Sequence, residues 1–254
     1  MSALVVRALE RELLVYARTW RGYAFSSFVQ PLLFLGAMGI GLGGLVDRGD
    51  GAAGLDYILF VTPGLLAASA LMTAGAESLW PVMGGVKWMG QFNSMVHTSM
   101  TAGDVYGGLV LAAACRALVA SVAFLVVAVP LGGTDSWWVP LAVVPPVLLA
   151  ATTTAVLAAF SVTQQSDQAF PLVMRLGIIP LFLFSGTFFP VEQLPDALRP
   201  LVWVSPLWHA VEPARDLTTG TVGPSTALHL VVLLAIAIVA IPFGIRGFER
   251  RLTP

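Results

Sequence analysis

Apolar positions along this chain fall in long unbroken runs and not in alternation. LHLVVLLAIAIVAIPFGI (228–245) has no period of two, which argues against the alternating ~10-residue strands of a membrane β-barrel. A helix needs about 20 apolar residues to cross a hydrocarbon core of about 30 Å. Six stretches meet that length, at about 24–46, 57–79, 106–130, 139–162, 169–189 and 225–246. Ahead of them, over 2–21, Val6, Leu9, Leu13, Tyr16 and Trp20 recur at the spacing of one helical face, with Arg7, Arg11, Arg18 and Arg21 on the other. That pattern predicts an amphipathic helix lying in the membrane interface, or a simple topology anchor. The expected fold is an all-α membrane protein forming one domain over 1–254. It has an N-terminal interface helix, six transmembrane helices, and short re-entrant helices on the outside between spans five and six.

Two segments between spans are unusual. The loop over 81–105 carries one basic residue, Lys87, among several Met and aromatic residues. It is too apolar for an idle connection and too polar to span. QFNSMVHTS (91–99) predicts a short helix stopped by Gly103, with apolar groups available to dock a partner or to lie on the membrane. The outer segment 190–217 contains Pro190, Pro195, Pro200, Pro206 and Pro213, with Trp203 and Trp208 between them. Prolines at this spacing break the backbone into short helices, and tryptophans suit a membrane–water boundary. Such backbone must be covered by protein or face a water-filled cavity.

Composition narrows the classes of function. The chain is 57% hydrophobic and 11% charged, with mean hydropathy +0.85, against about 25% charged in ordinary soluble domains. This nearly rules out a water-soluble enzyme. A net charge of −1 offers no surplus to neutralise phosphates, so nucleic acid is not an expected partner. One cysteine, Cys115, cannot form an internal disulfide. With the N-terminus in the cytosol, eight basic residues fall inside (Arg7, Arg11, Arg18, Arg21, Lys87, Arg246, Arg250, Arg251) and three outside (Arg48, Arg199, Arg215). The positive-inside rule then puts both termini in the cytoplasm.

Candidate chemistry is sparse. There is no G-x-x-x-x-G-K-[ST] phosphate loop. His97, His209 and His229 lack ligand spacing, so no metal is expected. Ser185, in Leu183-Phe184-Ser185-Gly186, is a weak candidate nucleophile of the intramembrane serine protease kind, with His229 as its conceivable partner. Arg116 and Arg175 fall inside spans, where charge is costly and commonly functional. Arg116 suggests a cytosol-facing cavity for a polar or anionic substrate group, or snorkelling with an interhelical hydrogen bond; Arg175 is placed to snorkel. Glu77 and Asp167 read as cytosolic span ends. Gly39 and Gly43, at G-x-x-x-G spacing in the first span, mark a helix or subunit contact.

The late segment LFLFSGTFFPVEQLPDALRPLVWVSPLWHAVEPARDL (181–217), with F-P-x-x-x-L-P followed by S-P-L-W-H-x-V-E-x-x-R, resembles the membrane subunit of ABC-2 type exporters. Daunorubicin-resistance and nodulation-factor exporter permeases are the most similar branches. FNSMVHTSMTAGDVYGG (92–108) resembles the cytosolic coupling loop of that family, and the likeness covers essentially the whole chain. The resemblance implies two separate ATP-binding cassette subunits, with ATP and Mg2+ held there and no cofactor on this chain. It also implies a second permease chain, the same or related, paired through spans one and five at Gly39 and Gly43. ATPase coupling would fall to Phe92, Asn93, Ser94, Met95, His97 and Thr98, beside the interface helix with Arg7, Arg11, Arg18 and Trp20. Pro190, Pro195, Trp203, Pro206 and Trp208 would form an outer gate. Phe182, Phe184, Phe188, Phe189 and Arg116 would line the substrate path. The expected function is ATP-driven export of an amphipathic drug, lipid or glycolipid from a bacterial plasma membrane. Where the polysaccharide branch often has N-P, this chain has Ser205-Pro206, which favours a drug or lipid over a lipid-linked polysaccharide. An intramembrane protease and a non-transporting membrane scaffold are the alternatives from other classes.

Overall fold

The computed structural model describes residues 3–43 and 55–253. Within them the chain is helical, with no strand. Helix α1 runs unbroken over Ala3–Phe34 and continues into a π-helical turn, Leu35–Leu42. The expected interface helix and the start of the expected first span are therefore one rod, without a break near residue 22. Residue 2 and residues 44–46, at the two ends of those expected elements, lie outside the described residues, as does the packing around Gly39; Gly43 is buried.

Among the described residues, five helical segments are long and apolar enough to cross a membrane: Tyr57–Trp88, Ala102–Ala128, Val139–Thr163, Asp167–Phe184 and Pro224–Leu252. The first consists of α2, Tyr57–Met83, and a π-helical end, Gly84–Trp88. Short helix α3 is Gln91–Val96, and α4 is Ala102–Ala128. A 3-10 turn at Val139–Val143 leads into α5, Val144–Thr163. Asp167–Phe184, here α6, holds a π-helical centre at Val173–Ile178. Two short helices follow, α7 (Arg199–Trp203) and α8 (Trp208–Thr219), then α9 (Pro224–Leu252). The first of the six expected spans, 24–46, is not among these five.

Local signals explain several boundaries. Thr101 caps α4: its hydroxyl accepts from the Asp104 N–H at 3.1 Å, while the Asp104 carboxylate accepts from the Thr101 N–H at 2.9 Å, the reciprocal capping box. This corrects the expected stop at Gly103, which lies inside α4; α3 instead ends after Val96. Pro190 and Pro200 sit at the starts of the 3-10 turn Val191–Gln193 and of α7, where a missing N–H costs nothing.

Helix α5 is the centre of the bundle, packed by α2, α4 and α9. Small residues and hydroxyls carry those contacts, as expected where lipid removes the hydrophobic drive between helices. Ser161 donates to the Leu79 carbonyl at 2.8 Å, Tyr106 to Ala155 at 2.8 Å, and Thr152 to Leu233 at 3.1 Å. At Gly64 a methyl group would stand 2.6 Å from the Thr187 carbonyl oxygen, so glycine lets α2 meet the turn after α6. Helix α1 lies along α4 with Ala8 buried against Gly108. Ala8 is the buried residue of α1 here, with Leu9, Leu13 and Tyr16 half-buried and Val6 and Trp20 exposed. Leu172, Leu176, Ile179, Leu183 and Phe184 leave a long apolar face of α6 uncovered in the single chain.

Candidate functional site

A cavity of about 170 Å3 opens between α1, α2 and α4, closed by Ala150 of α5 and Phe182 of α6. Leu65, Ala70, Phe124 and Phe182 form apolar walls, and Ser69, Thr73 and Ser121 add hydroxyls. Its charged pair is Glu77 of α2 with Arg116 of α4: the Arg116 Nε donates to Glu77 Oε2 at 2.8 Å. Arg116 falls near the middle of the 27-residue α4. The expectation that Glu77 marks a cytosolic span end is corrected here, because the helix runs on to Trp88 and sets Glu77 within the bundle. The other Glu77 oxygen, Oε1, is buried with no hydrogen-bond partner, an arrangement costly enough to require a reason. Tyr16 of α1 completes the rim.

Of the aromatic residues expected along the substrate path, Phe182 reaches this cavity. Phe188 stacks edge-on to it, ring centres 5.1 Å apart. Phe184 faces outward and Phe189 packs into the outer cluster of Val191, Leu194, Val202 and Trp208. Phe34, Phe124 and Glu77 line the cavity and were not singled out from sequence. Only tertiary contact could find Glu77, which pairs with a residue on another helix.

The end of the bundle formed by α7 and α8 is held by a second Arg–Glu pair. Arg215 of α8 donates to Glu212 Oε1 and to the Gly186 carbonyl, both at 2.7 Å, and lies 4.2 Å over the Phe60 ring. Burial pushes Glu212 up from the ordinary carboxylate value, against the opposing pull of Arg215, and pushes Arg215 down from its own. Gly186 adopts φ 76°, a left-handed turn that suits glycine. Next to it Ser185 and Ser205 share a hydrogen bond of 2.6 Å. His209 Nε2 meets the Trp203 carbonyl at 2.9 Å and its Nδ1 meets His229 Nδ1 at 2.8 Å. A carbonyl only accepts, so Nε2 donates and neutral His209 accepts at Nδ1 from His229. Two consequences correct the sequence reading. His209 and His229, which lack ligand spacing in the sequence, are in contact. Ser185 is bonded to Ser205 while His229 is engaged by His209, so the serine–histidine pair a protease would need is not assembled. No group of three or more His, Cys, Asp or Glu suited to a metal occurs among the described residues. Of the expected gate residues, Trp208 stacks on both histidines, Trp203 and Pro195 are exposed, and Pro190 and Pro206 are half-buried.

At the other end, α3 packs against the bundle through one face. Phe92 is buried with Phe248 and Tyr106 and anchors it. Asn93 donates to the Val86 carbonyl at 3.2 Å. Met95 is partly buried on the same cluster, and Ser94, His97 and Thr98 face outward. Trp88 and Met89, 60% and 66% exposed, add the apolar surface; they lie just before the segment singled out from sequence. Arg11 of α1 bonds Gln91, the first residue of α3, whereas Arg7, Arg18 and Trp20 are exposed.

Residues 4–218 match the family model described as ABC-2 type transporter. Nodulation protein J of Rhizobium meliloti (strain 1021) is 31% identical over 241 residues, covering 92% of this chain and 90% of that protein. Nodulation protein J of Sinorhizobium fredii (strain NBRC 101917 / NGR234) is 30% identical over 238 residues, with 92% and 89% covered. The protein of the same name from Neorhizobium galegae is 26% identical over 269 residues, with both chains covered in full.

Proposed function

Because the chain belongs to the ABC-2 type transporter family, we propose that it is the permease subunit of an ATP-driven exporter in a bacterial plasma membrane, with both termini cytoplasmic. Two ATP-binding cassette subunits bind its cytosolic face and hold ATP and Mg2+, and a second permease chain, the same or related, completes the pore. The cargo is an amphipathic drug, lipid or glycolipid taken from the cytoplasm or inner leaflet.

The observation that carries this reading is α3, preceded by exposed Trp88 and Met89 and tied to α1 through Arg11 and Gln91, on a chain with no phosphate loop of its own. An exposed aromatic and thioether pair beside a short anchored helix suits a protein partner. The cavity beside Glu77 and Arg116 supports the transport half of the reading. A volume of about 170 Å3 admits a ring or a short alkyl segment, below the roughly 300–1,000 Å3 of sites that enclose a drug-sized ligand. It therefore suits one part of a longer amphipath. ATP binding closes the partner subunits, their motion is delivered to α3, and α1 transmits it to the cavity wall at Tyr16. Net transport follows only if the cargo's affinity differs between the two states.

The test is purification from native membranes in mild detergent. The expected result is a stoichiometric partner bearing a phosphate loop, lost when Trp88→Ala and Met89→Ala are combined while the chain itself stays folded. Recovery of the folded chain alone, under conditions that preserve other membrane complexes, would overturn the reading in favour of a scaffold.

A further inference from the structure

The Glu77–Arg116 pair is poorly satisfied for a structural tie. Arg116 engages Glu77 through Nε alone, although a guanidinium can grip a carboxylate with two parallel bonds. Glu77 Oε1 is left buried without a partner. Among the described residues no hydrogen bond engages the two terminal nitrogens of Arg116. Replacing such a pair by well-packed apolar residues is commonly neutral or stabilising, so stability does not account for it.

The geometry accounts for it differently. Among the described residues lining the cavity, Glu77 and Arg116 are the only ones of opposite full charge, and Tyr16 is the one other ionisable group, uncharged at neutral pH. We propose that the pair is a charge filter: it gives the cavity hydrogen-bonding capacity with no net charge, so that it accepts amphipaths with an uncharged polar group and rejects those bearing a full charge of either sign. This rests on the cavity being the cargo site, as argued above. Glu77 cancels the field of Arg116 and orients it, and the terminal N–H groups meet an acceptor oxygen on the ligand. An anion gains little from a cancelled charge yet loses its hydration on entering apolar walls, and a cation fares the same against Glu77. Ser69, Thr73 and Ser121 supply further neutral contacts, and Leu65, Phe124 and Phe182 take the apolar part.

The test uses the full chain in lipid nanodiscs, with neither ATPase nor transport, so its outcome is independent of whether a partner subunit exists. A diazirine-bearing octanamide is photo-crosslinked and the labelled residues are mapped. Octanamide, octyl sulfonate and octyltrimethylammonium then compete for the label. The expected result is labelling on α2 and α4 around Glu77 and Arg116, with octanamide the best competitor. Glu77→Gln, which uncovers the arginine, should improve octyl sulfonate by about tenfold, and Arg116→Gln should improve octyltrimethylammonium by a similar factor, the scale of one unmasked charge in a partly buried site. The double variant Glu77→Gln/Arg116→Gln should return both charged competitors to their original rank, and it serves as the folded reference if either single variant unfolds. A charged competitor preferred by the unaltered protein, an unchanged ranking in the folded variants, or labelling confined to the lipid-facing surface would overturn the proposal.

Discussion

Two Arg–Glu pairs of nearly equal length stand at different depths of this bundle, and they are used in opposite ways. Arg215 and Glu212 lie three residues apart on one helix, 2.7 Å from each other. Arg215 also grips the Gly186 carbonyl and covers Phe60. Arg116 and Glu77 come from different helices, 2.8 Å apart, and neither carries the pair's bonding further. The first pair is woven into a turn, a ring and a carbonyl. The second borders empty space. Among the described residues each pair leaves one buried polar atom without a partner, Arg215 Nε and Glu77 Oε1; what separates them is that Arg215 has further bonds to the fold while Arg116 borders a cavity.

Removing Arg215 should have the largest effect. Arg215→Ala strands Glu212 in a buried site and frees the Gly186 turn, so it should cost about 3–5 kcal/mol of stability, measured by unfolding in detergent. A loss as small as that of a surface change would erase the contrast. Arg116→Ala should cost less, about 1–2 kcal/mol, because one hydrogen bond to a charged group is lost and the cavity can take up water. A double-mutant cycle with Glu77→Ala isolates the pair's own contribution. If Arg116→Ala proved as damaging as Arg215→Ala, the inner pair would be a structural tie after all.

The smallest effect is that of pH. Burial holds His209 below the ordinary imidazole value, against the raising effect of its bond to the Trp203 carbonyl. A group lowered in the folded state favours folding when deprotonated. Its contribution is full above about 6.5 and drains away as pH falls through the lower folded value. Melting temperature should therefore drop by a few degrees as pH falls from about 7 to 5, and His209→Gln should flatten that slope. A slope unchanged in His209→Gln would assign the pH response to other groups.

How much of this was legible in the sequence depends on the range of the signal. Runs of apolar residues located the spans at 57–79, 106–130, 139–162, 169–189 and 225–246 to within a few residues at most ends, because burial in lipid is a local, additive property. The expected end of the second at 79 falls short: α2 and its π-helical end run on to Trp88, which sets Glu77 inside the helix and not at its end. Glu77 with Arg116, and His209 with His229, are separated by 39 and 20 positions, and no periodicity links them. Small Ala8 meets Gly108 where helices approach closely, a contact that a hydrophobicity pattern, which weights the large side chains, does not show.

The π-helical centre of α6, Val173–Ile178, bears on how the cavity wall can change. A π turn holds one residue more than its α counterpart. Shifting that surplus residue along the rod slips the hydrogen-bond register by one step. Everything beyond the slip then rotates by about 100° and advances by about 1.5 Å, with the backbone bonds re-formed in their new pairing. Phe182 lies just beyond, on the side where such a rotation would carry it off the cavity and bring a neighbouring leucine, Leu181 or Leu183, into its place. A ratchet of this kind would exchange an aromatic wall for an aliphatic one while the helix stays whole.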